Sequence, residues 1–335
     1  MTPQEIRQLF VTLDGLRRQG KSIILITHKL SEVTAITDRI TIMRLGKVVG
    51  TVSTKEVSEA EIARKMVGRE VLLSVKKEQS VPKEIVLEVE NVTCNNNQVI
   101  PAVDNVSFYV RKGEIVGVAG VQGNGQTELI EAITGLRKLK KGSVKVNGTL
   151  VQGKNAARQC RDLQVGHIAE DRQEVGAARY ASIRDNYFLH LHTLKEFNKG
   201  FFLDYKVFDK ICREKLKEYD VRYNKIQDNA SSLSGGNLQK LIIAREMYVK
   251  PQLLVAAQPT RGVDIGATEF IHKQIVEHRD AGNAVLLFSN ELSEIMTLSD
   301  RILVMFKGKI IGEIDQQYAT EEQLGLWMAG IQNDK

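Results

Sequence analysis

Leu233-Ser234-Gly235-Gly236-Asn237-Leu238-Gln239-Lys240 is the stretch whose reading decides the fold of this chain. Small residues at the start of a helix can bring backbone N–H groups and a hydroxyl to a phosphate. Roughly a hundred residues upstream lies a glycine-rich loop, Gly120-Val121-Gln122-Gly123-Asn124-Gly125-Gln126-Thr127, the order that a phosphate-binding P-loop domain needs. Downstream an apolar run, Leu253-Leu254-Val255-Ala256-Ala257, leads into Gln258-Pro259-Thr260-Arg261-Gly262-Val263-Asp264.

The glycine loop sits in the context a P-loop requires. Gly113-Glu114-Ile115-Val116-Gly117-Val118-Ala119 reads as a buried strand feeding it, and a helix runs from Glu128. Gly120, Gly123 and Gly125, with Asn124 between them, let backbone N–H groups face phosphate oxygens, and the helix dipole adds to the attraction. The lysine that usually meets the terminal phosphates is Gln126 here, whereas Thr127 keeps a hydroxyl suited to Mg²⁺.

From residue 85 to residue 312 the ordered motifs resemble the nucleotide-binding domains of ATP-binding-cassette transporters. Gly-Asn-Gly-Gln-Thr-Glu-Leu from Gly123, Glu170-Asp171-Arg172, and Pro259-Thr260-Arg261-Gly262-Val263-Asp264-Ile265-Gly266-Ala267 look like the second half of a tandem ATPase. Such ATPases energise bacterial importers of simple sugars or nucleosides, and Ala256 to Gly262 leans towards the nucleoside branch. The implied fold is α/β, a P-loop NTPase-type mostly parallel sheet with a helical insertion at about residues 180–245. The implied cofactors are ATP and Mg²⁺. The implied partners are integral membrane permease subunits and a solute-binding protein, at the cytoplasmic face of the cell membrane.

The resemblance also assigns roles. The metal-holding Asp and the water-activating Glu of the family fall on Ala257 and Gln258, and its phosphate-contacting histidine falls on Asn290. Glu170 stands where many relatives place a phosphate-sensing glutamine, and Glu128 opens the helix after the loop. Gln126, Ala257, Gln258 and Asn290 together remove the charges of Lys, Asp, Glu and His from one pocket. Losing one such group typically costs about two to four orders of magnitude in rate, so this pocket is expected not to hydrolyse ATP. In the family two domains pair head to tail. Ser234, Gly235, Gly236 and Asn237 would therefore serve the ATP of the other half.

An internal repeat organises the rest. Residues 20–50 align without gaps on residues 282–312, with Leu-Ser-Glu, Asp-Arg-Ile and Gly-Lys in register. Each copy reads as helix, strand (Ile23-Ile24-Leu25-Ile26 or Val285-Leu286-Leu287-Phe288), helix, and an apolar hairpin turning at Gly46 or Gly308. The first copy keeps the histidine, His28, at the position that is Asn290 in the second. The expected organisation is a C-terminal remnant of a first nucleotide-binding domain over 1–70, a polar linker over 71–84, and a second nucleotide-binding domain over 85–335. The chain then reads as truncated, and a separate intact nucleotide-binding half is a further partner implied.

Composition bounds the alternatives. The chain has 335 residues, a net charge of +6, and 42% hydrophobic and 26% charged residues, ordinary for an α/β protein. Arg137-Lys138-Leu139-Lys140-Lys141 is its one basic cluster and reads as a solvated loop, so no nucleic-acid partner is expected. Cys94, Cys160 and Cys212 lack metal-ligand spacing and fit a reducing cytosol. No apolar run approaches the roughly eighteen residues of a membrane span, and the first residues do not form a signal peptide. A soluble tandem-cassette ATPase acting on ribosome or DNA would need intact acids and a long charged arm. A regulatory or vestigial fragment would bind nucleotide without turnover.

Overall fold

The apolar runs set the centre of the molecule. In the computed structural model, which describes residues 3–27, 29–44, 46–70, 75, 77–151, 153, 155–199 and 202–331, three strands are buried at nearly every position. The chain opens with α1 (Pro3–Arg18), α2 (Leu30–Ile36), β1 (Arg39–Arg44), β2 (Lys47–Ser53) and α3 (Glu59–Val67). Next come β3 (Ile85–Asn95), β4 (Pro101–Arg111), β5 (Ile115–Ala119), α4 (Gln126–Ile133), β6 (Lys141–Val146), β7 (Thr149–Leu150), α5 (Ala156–Asp162) and β8 (Val165–Ile168). The helical region holds α6 (Ile183–Tyr187), the short β9 (Asn198–Lys199) and β10 (Phe202–Leu203), α7 (Tyr205–Glu218) and α8 (Gly235–Tyr248). The last elements are β11 (Leu253–Ala257), α9 (Ile265–Asp280), β12 (Ala284–Ser289), α10 (Leu292–Leu298), β13 (Arg301–Phe306), β14 (Lys309–Asp315) and α11 (Glu321–Met328).

The main sheet has six strands in the order β14-β13-β5-β12-β11-β8, parallel except for the β13–β14 hairpin. Alternate residues of β11 enter opposite cores, because successive side chains of a strand point to opposite faces. Leu254 and Ala256 pack with α8, α9 and the helical region. Leu253, Val255 and Ala257 pack with α4 and the antiparallel sheet β4-β3-β6-β7. A strand covered on both faces reads as an unbroken apolar run, which is why β11, β12 and β5 were recognisable. No helix among the described residues is long and apolar enough to cross a membrane.

The repeat has a structural counterpart at one constant offset. α1 corresponds to α9 (3 to 265, 18 to 280), α2 to α10, β1 to β13 and β2 to β14, each displaced by 262 residues. Even the bulge recurs, after Ile42 in one hairpin and after Val304 in the other. One expected element is missing. Ile23-Ile24-Leu25-Ile26 forms no strand, and Ile24 and Ile26 are 90% and 94% exposed. Its counterpart β12 lies between β11 and β5 and takes its backbone hydrogen bonds from both. Among the described residues, 23–26 have no such neighbours, and a strand cannot satisfy its own backbone groups.

Of the expected polar linker over 71–84, residues 71–74 and 76 lie outside the described residues, and several of the others are held by hydrogen bonds. Lys77 Nζ pairs with Asp300 Oδ1 at 2.9 Å and donates to Leu298 O at 3.1 Å. Arg279 Nη2 donates to Glu78 O at 3.0 Å, and Ser80 Oγ donates to Gly113 O at 2.6 Å. Polar side chains there find buried carbonyl and carboxylate partners that local sequence does not reveal. Cys94, Cys160 and Cys212 are free and buried, and burial raises the first two thiols to about 11.

His278, in the last turn of α9, is buried, and burial outweighs a backbone hydrogen bond with Pro251 to lower its pKa from 6.5 to about 4. The folded ring thus stays neutral where the unfolded chain's imidazole is already charged. Its contribution to stability is complete above about pH 6.5 and is lost as the pH falls towards 4. At about 1.4 kcal/mol per pH unit the loss reaches about 3 kcal/mol. Urea unfolding across that window should show a flatter pH profile for His278→Gln. Parallel profiles would assign the acid loss to other groups.

Candidate nucleotide site

β5 delivers the chain to the glycine loop, and α4 carries it away. Gly123 and Gly125 have φ of +90° and +96°, a region that favours glycine. A Cβ on Gly125 would stand 2.1 Å from Ala102 O, and one on Gly120 would stand 2.8 Å from Met305 O. Asn124 ties the loop to the β13–β14 turn. Its Oδ1 accepts from Lys307 N at 2.9 Å, its backbone O accepts from Gly308 N at 2.9 Å, and its Nδ2 donates to Val121 O at 3.1 Å. Gly125→Ala should therefore lower stability by about 1–3 kcal/mol in urea unfolding, through strain and the Ala102 clash together. An unchanged midpoint would contradict this account of the loop.

Gln126 does not stand in for a phosphate-seeking lysine. Its side chain is buried beneath the loop, where Nε2 donates to Val118 O at 3.3 Å. Thr127 Oγ1 donates to Glu170 Oε2 at 3.0 Å, and Arg261 Nη1 holds Glu170 Oε1 at 3.0 Å. Glu128, partly exposed, follows in the first turn of α4. The structure therefore joins Thr127 and Glu170 and adds a residue that sequence reasoning left without a role, Arg261. A guanidinium directly after Pro259-Thr260, near positions that have lost the charges of Lys, Asp, Glu and His, was the available signal.

Ala257 is fully buried in the core and offers no donor or acceptor. Gln258 has φ +48°, donates its N–H to Phe288 O at 2.8 Å and accepts from Asn290 N through Oε1 at 3.2 Å. Asn290 Oδ1 is buried without a partner. Gln258, Asn290, Arg261 and Gln122 line one side of a cavity of about 370 Å³, and Ile6, Leu9 and Phe10 of α1 line the other. Lys29 pairs with Glu291 at 3.2 Å across this boundary. His28 lies outside the described residues.

The Leu-Ser-Gly-Gly segment is placed elsewhere. Ser234 caps α8, its Oγ accepting from Asn237 N at 3.5 Å and from Asn237 Nδ2 at 2.9 Å. Asn237 Oδ1 accepts from Arg222 N at 2.8 Å. Gly235 lies against Arg172, where a Cβ would come 2.6 Å from Nη2, and Gly236 faces Ala267. Arg172 in turn donates to Arg261 O and, at 3.1 Å, to Gly262 O. Among the described residues no hydrogen bond joins 234–237 to 120–127. Sequence reasoning also missed a buried cluster behind them, in which Thr260 Oγ1 and His272 Nε2 meet Glu294 Oε1 at 2.7 and 2.9 Å.

Comparison with known proteins gives the following likenesses. The family model described as ABC transporter matches residues 103–261. The cassette fold is shared with MJ0796, a dimeric bacterial ABC transporter cassette, at a TM-score of 0.60 and 21% identity over 69% of this chain and 98% of that one. Among curated proteins, the nucleoside import ATP-binding protein NupA of Lactococcus lactis subsp. cremoris is 44% identical over 98% of this chain and 65% of its own length. The guanosine import ATP-binding protein NupO of Bacillus subtilis is 46% identical over 98% and 64%, respectively. The glucose import ATP-binding protein TsgD13 of Haloferax volcanii is 45% identical over 98% and 60%. The chain thus spans about two thirds or less of the length of these relatives.

Proposed function

We propose that this chain is an ATP-binding component of an importer for simple sugars or nucleosides, and that its own glycine-loop pocket does not hydrolyse ATP. In this reading Ser234, Gly235, Gly236 and Asn237 act on a nucleotide held by another glycine loop. That complete site uses ATP and Mg²⁺. Its other partners are integral membrane permease subunits and a solute-binding protein, at the cytoplasmic face of the membrane. His28 serves the same working site.

The placement of the two motifs on different elements carries the proposal. Ser234 and Gly235 stand at the N-terminus of α8 against Arg172, and among the described residues no hydrogen bond ties them to residues 120–127, which supports a phosphate partner from another glycine loop. Resemblance to import ATP-binding proteins of nucleosides, glucose and ribose supports the substrate classes. The missing hydrolysis follows from chemistry at the loop. Gln126 is folded under it, Ala257 cannot orient a metal, and Gln258 cannot accept a proton from water at neutral pH.

Phosphate release by the purified chain tests the second half of the proposal. It should stay at background with ATP and Mg²⁺. Magnesium-dependent turnover that persists in both Ser234→Ala and Gly235→Asp would place a working centre in this pocket and overturn the reading.

A further inference from the structure

Beside Thr127, whose hydroxyl is the type that meets Mg²⁺ in a glycine-loop site, the carboxylate of Glu170 is held by a protein cation, Arg261. Mg²⁺ demands near-octahedral oxygen coordination, usually from one or two carboxylates, waters and the substrate phosphates. Thr127 gives its hydroxyl proton to one oxygen of Glu170, and Arg261 holds the other. Ala257 supplies nothing, and the described residues contain no cluster of three or more His, Cys, Asp or Glu that could hold a metal. Glu170, the one carboxylate of this set, has both oxygens engaged, one by Thr127 and one by Arg261, which leaves Mg²⁺ no carboxylate of its own beside Thr127.

Arg261 is well placed for the charge it carries. Its N–H donates to Gln258 O at 3.1 Å and its carbonyl accepts from Arg172, so the backbone is fixed on both sides. Its side chain is 55% exposed and borders the cavity together with Gln122 of the glycine loop. A guanidinium stays charged at any working pH, and its planar fork matches phosphate oxygens. Glu170 engages only Nη1 of Arg261, so the remaining N–H groups of the fork are left to meet a phosphate.

We propose that Arg261 replaces the divalent cation at this glycine loop, so that the pocket binds nucleotide polyphosphate without a metal ion. This rests on reading residues 120–127 as a nucleotide loop, but not on any turnover. The role of Glu170 is then to aim Arg261 and to tie Thr127 to it.

Equilibrium titration of the full chain with a fluorescent trinitrophenyl derivative of ATP, in excess Mg²⁺ and in excess EDTA, tests the proposal. The two dissociation constants should agree within about twofold. Arg261→Ala should weaken binding by about tenfold or more in both solutions, and Arg261→Lys should fall between, keeping the charge and losing the fork. Melting curves of both variants confirm that they are folded. Binding strengthened tenfold or more by Mg²⁺, binding by Arg261→Ala equal to that of the unaltered chain, or no binding at all would each overturn the proposal. None of these results bears on whether Ser234 to Asn237 support hydrolysis elsewhere, which is read as phosphate release.

Discussion

Mixed with a cassette half that carries a complete glycine loop with its lysine and an acidic pair, this chain should gain ATP turnover that Gly235→Asp then lowers by about a hundredfold or more. The reason is electrostatic. Gly235 opens α8, where the helix dipole and the Ser234 hydroxyl favour a terminal phosphate, and a carboxylate there would put negative charge against it. The nearest atom to a new Cβ is Nη2 of Arg172, which would have to shift from Gly262 O, so a melting curve checks that the variant is folded. Gln126→Ala should alter the reconstituted rate less than twofold, since its amide lies under a loop that takes no part in that site. If Gln126→Ala abolished activity and Gly235→Asp did not, the assignment of the two pockets would be reversed.

Arg301→Ala should produce the largest loss of stability. Arg301 is buried and holds Glu114 Oε1 at 2.8 Å, Glu313 Oε1 at 2.7 Å and Tyr109 O at 2.7 Å, with its guanidinium 4.5 Å from the Tyr109 ring centre. Truncation would strand Glu114, which is 4% exposed and keeps only the Arg111 N–H for Oε2. Breaking a buried pair by removing one partner costs about 3–5 kcal/mol. Arg39, the residue at the matching position of the repeat, is exposed, so Arg39→Ala should cost about 0.5 kcal/mol or less. Urea unfolding of the two variants gives the comparison, and equal losses would refute the assigned role of Arg301.

Much of the architecture was legible because the signals are local. Continuous apolar runs marked β5, β11 and β12, and Gly46 and Gly308 marked hairpin turns that do form at those positions with positive φ. The repeat predicted paired helices and hairpins, and the structure sets them at one constant offset. Less of the candidate site could be read. Positions on strand, loop and helix followed from the motif, but the direction of the Gln126 amide did not. Nor did the meeting of Glu170 with Arg261, which lie 91 residues apart in sequence.

By itself, then, the sequence determined which segments are helical, which are apolar enough for a central strand, and where glycine permits a phosphate-type loop. Only the tertiary structure decided what those segments became. Ile23 to Ile26 and Val285 to Phe288 share a pattern, yet just one is a strand, because a strand's hydrogen bonds belong to its neighbours. Asp-Arg-Ile occurs twice, yet one arginine is solvated and the other is enclosed with Glu114. Periodicity is a property of a few consecutive residues, whereas burial and pairing depend on what distant parts of the chain bring alongside.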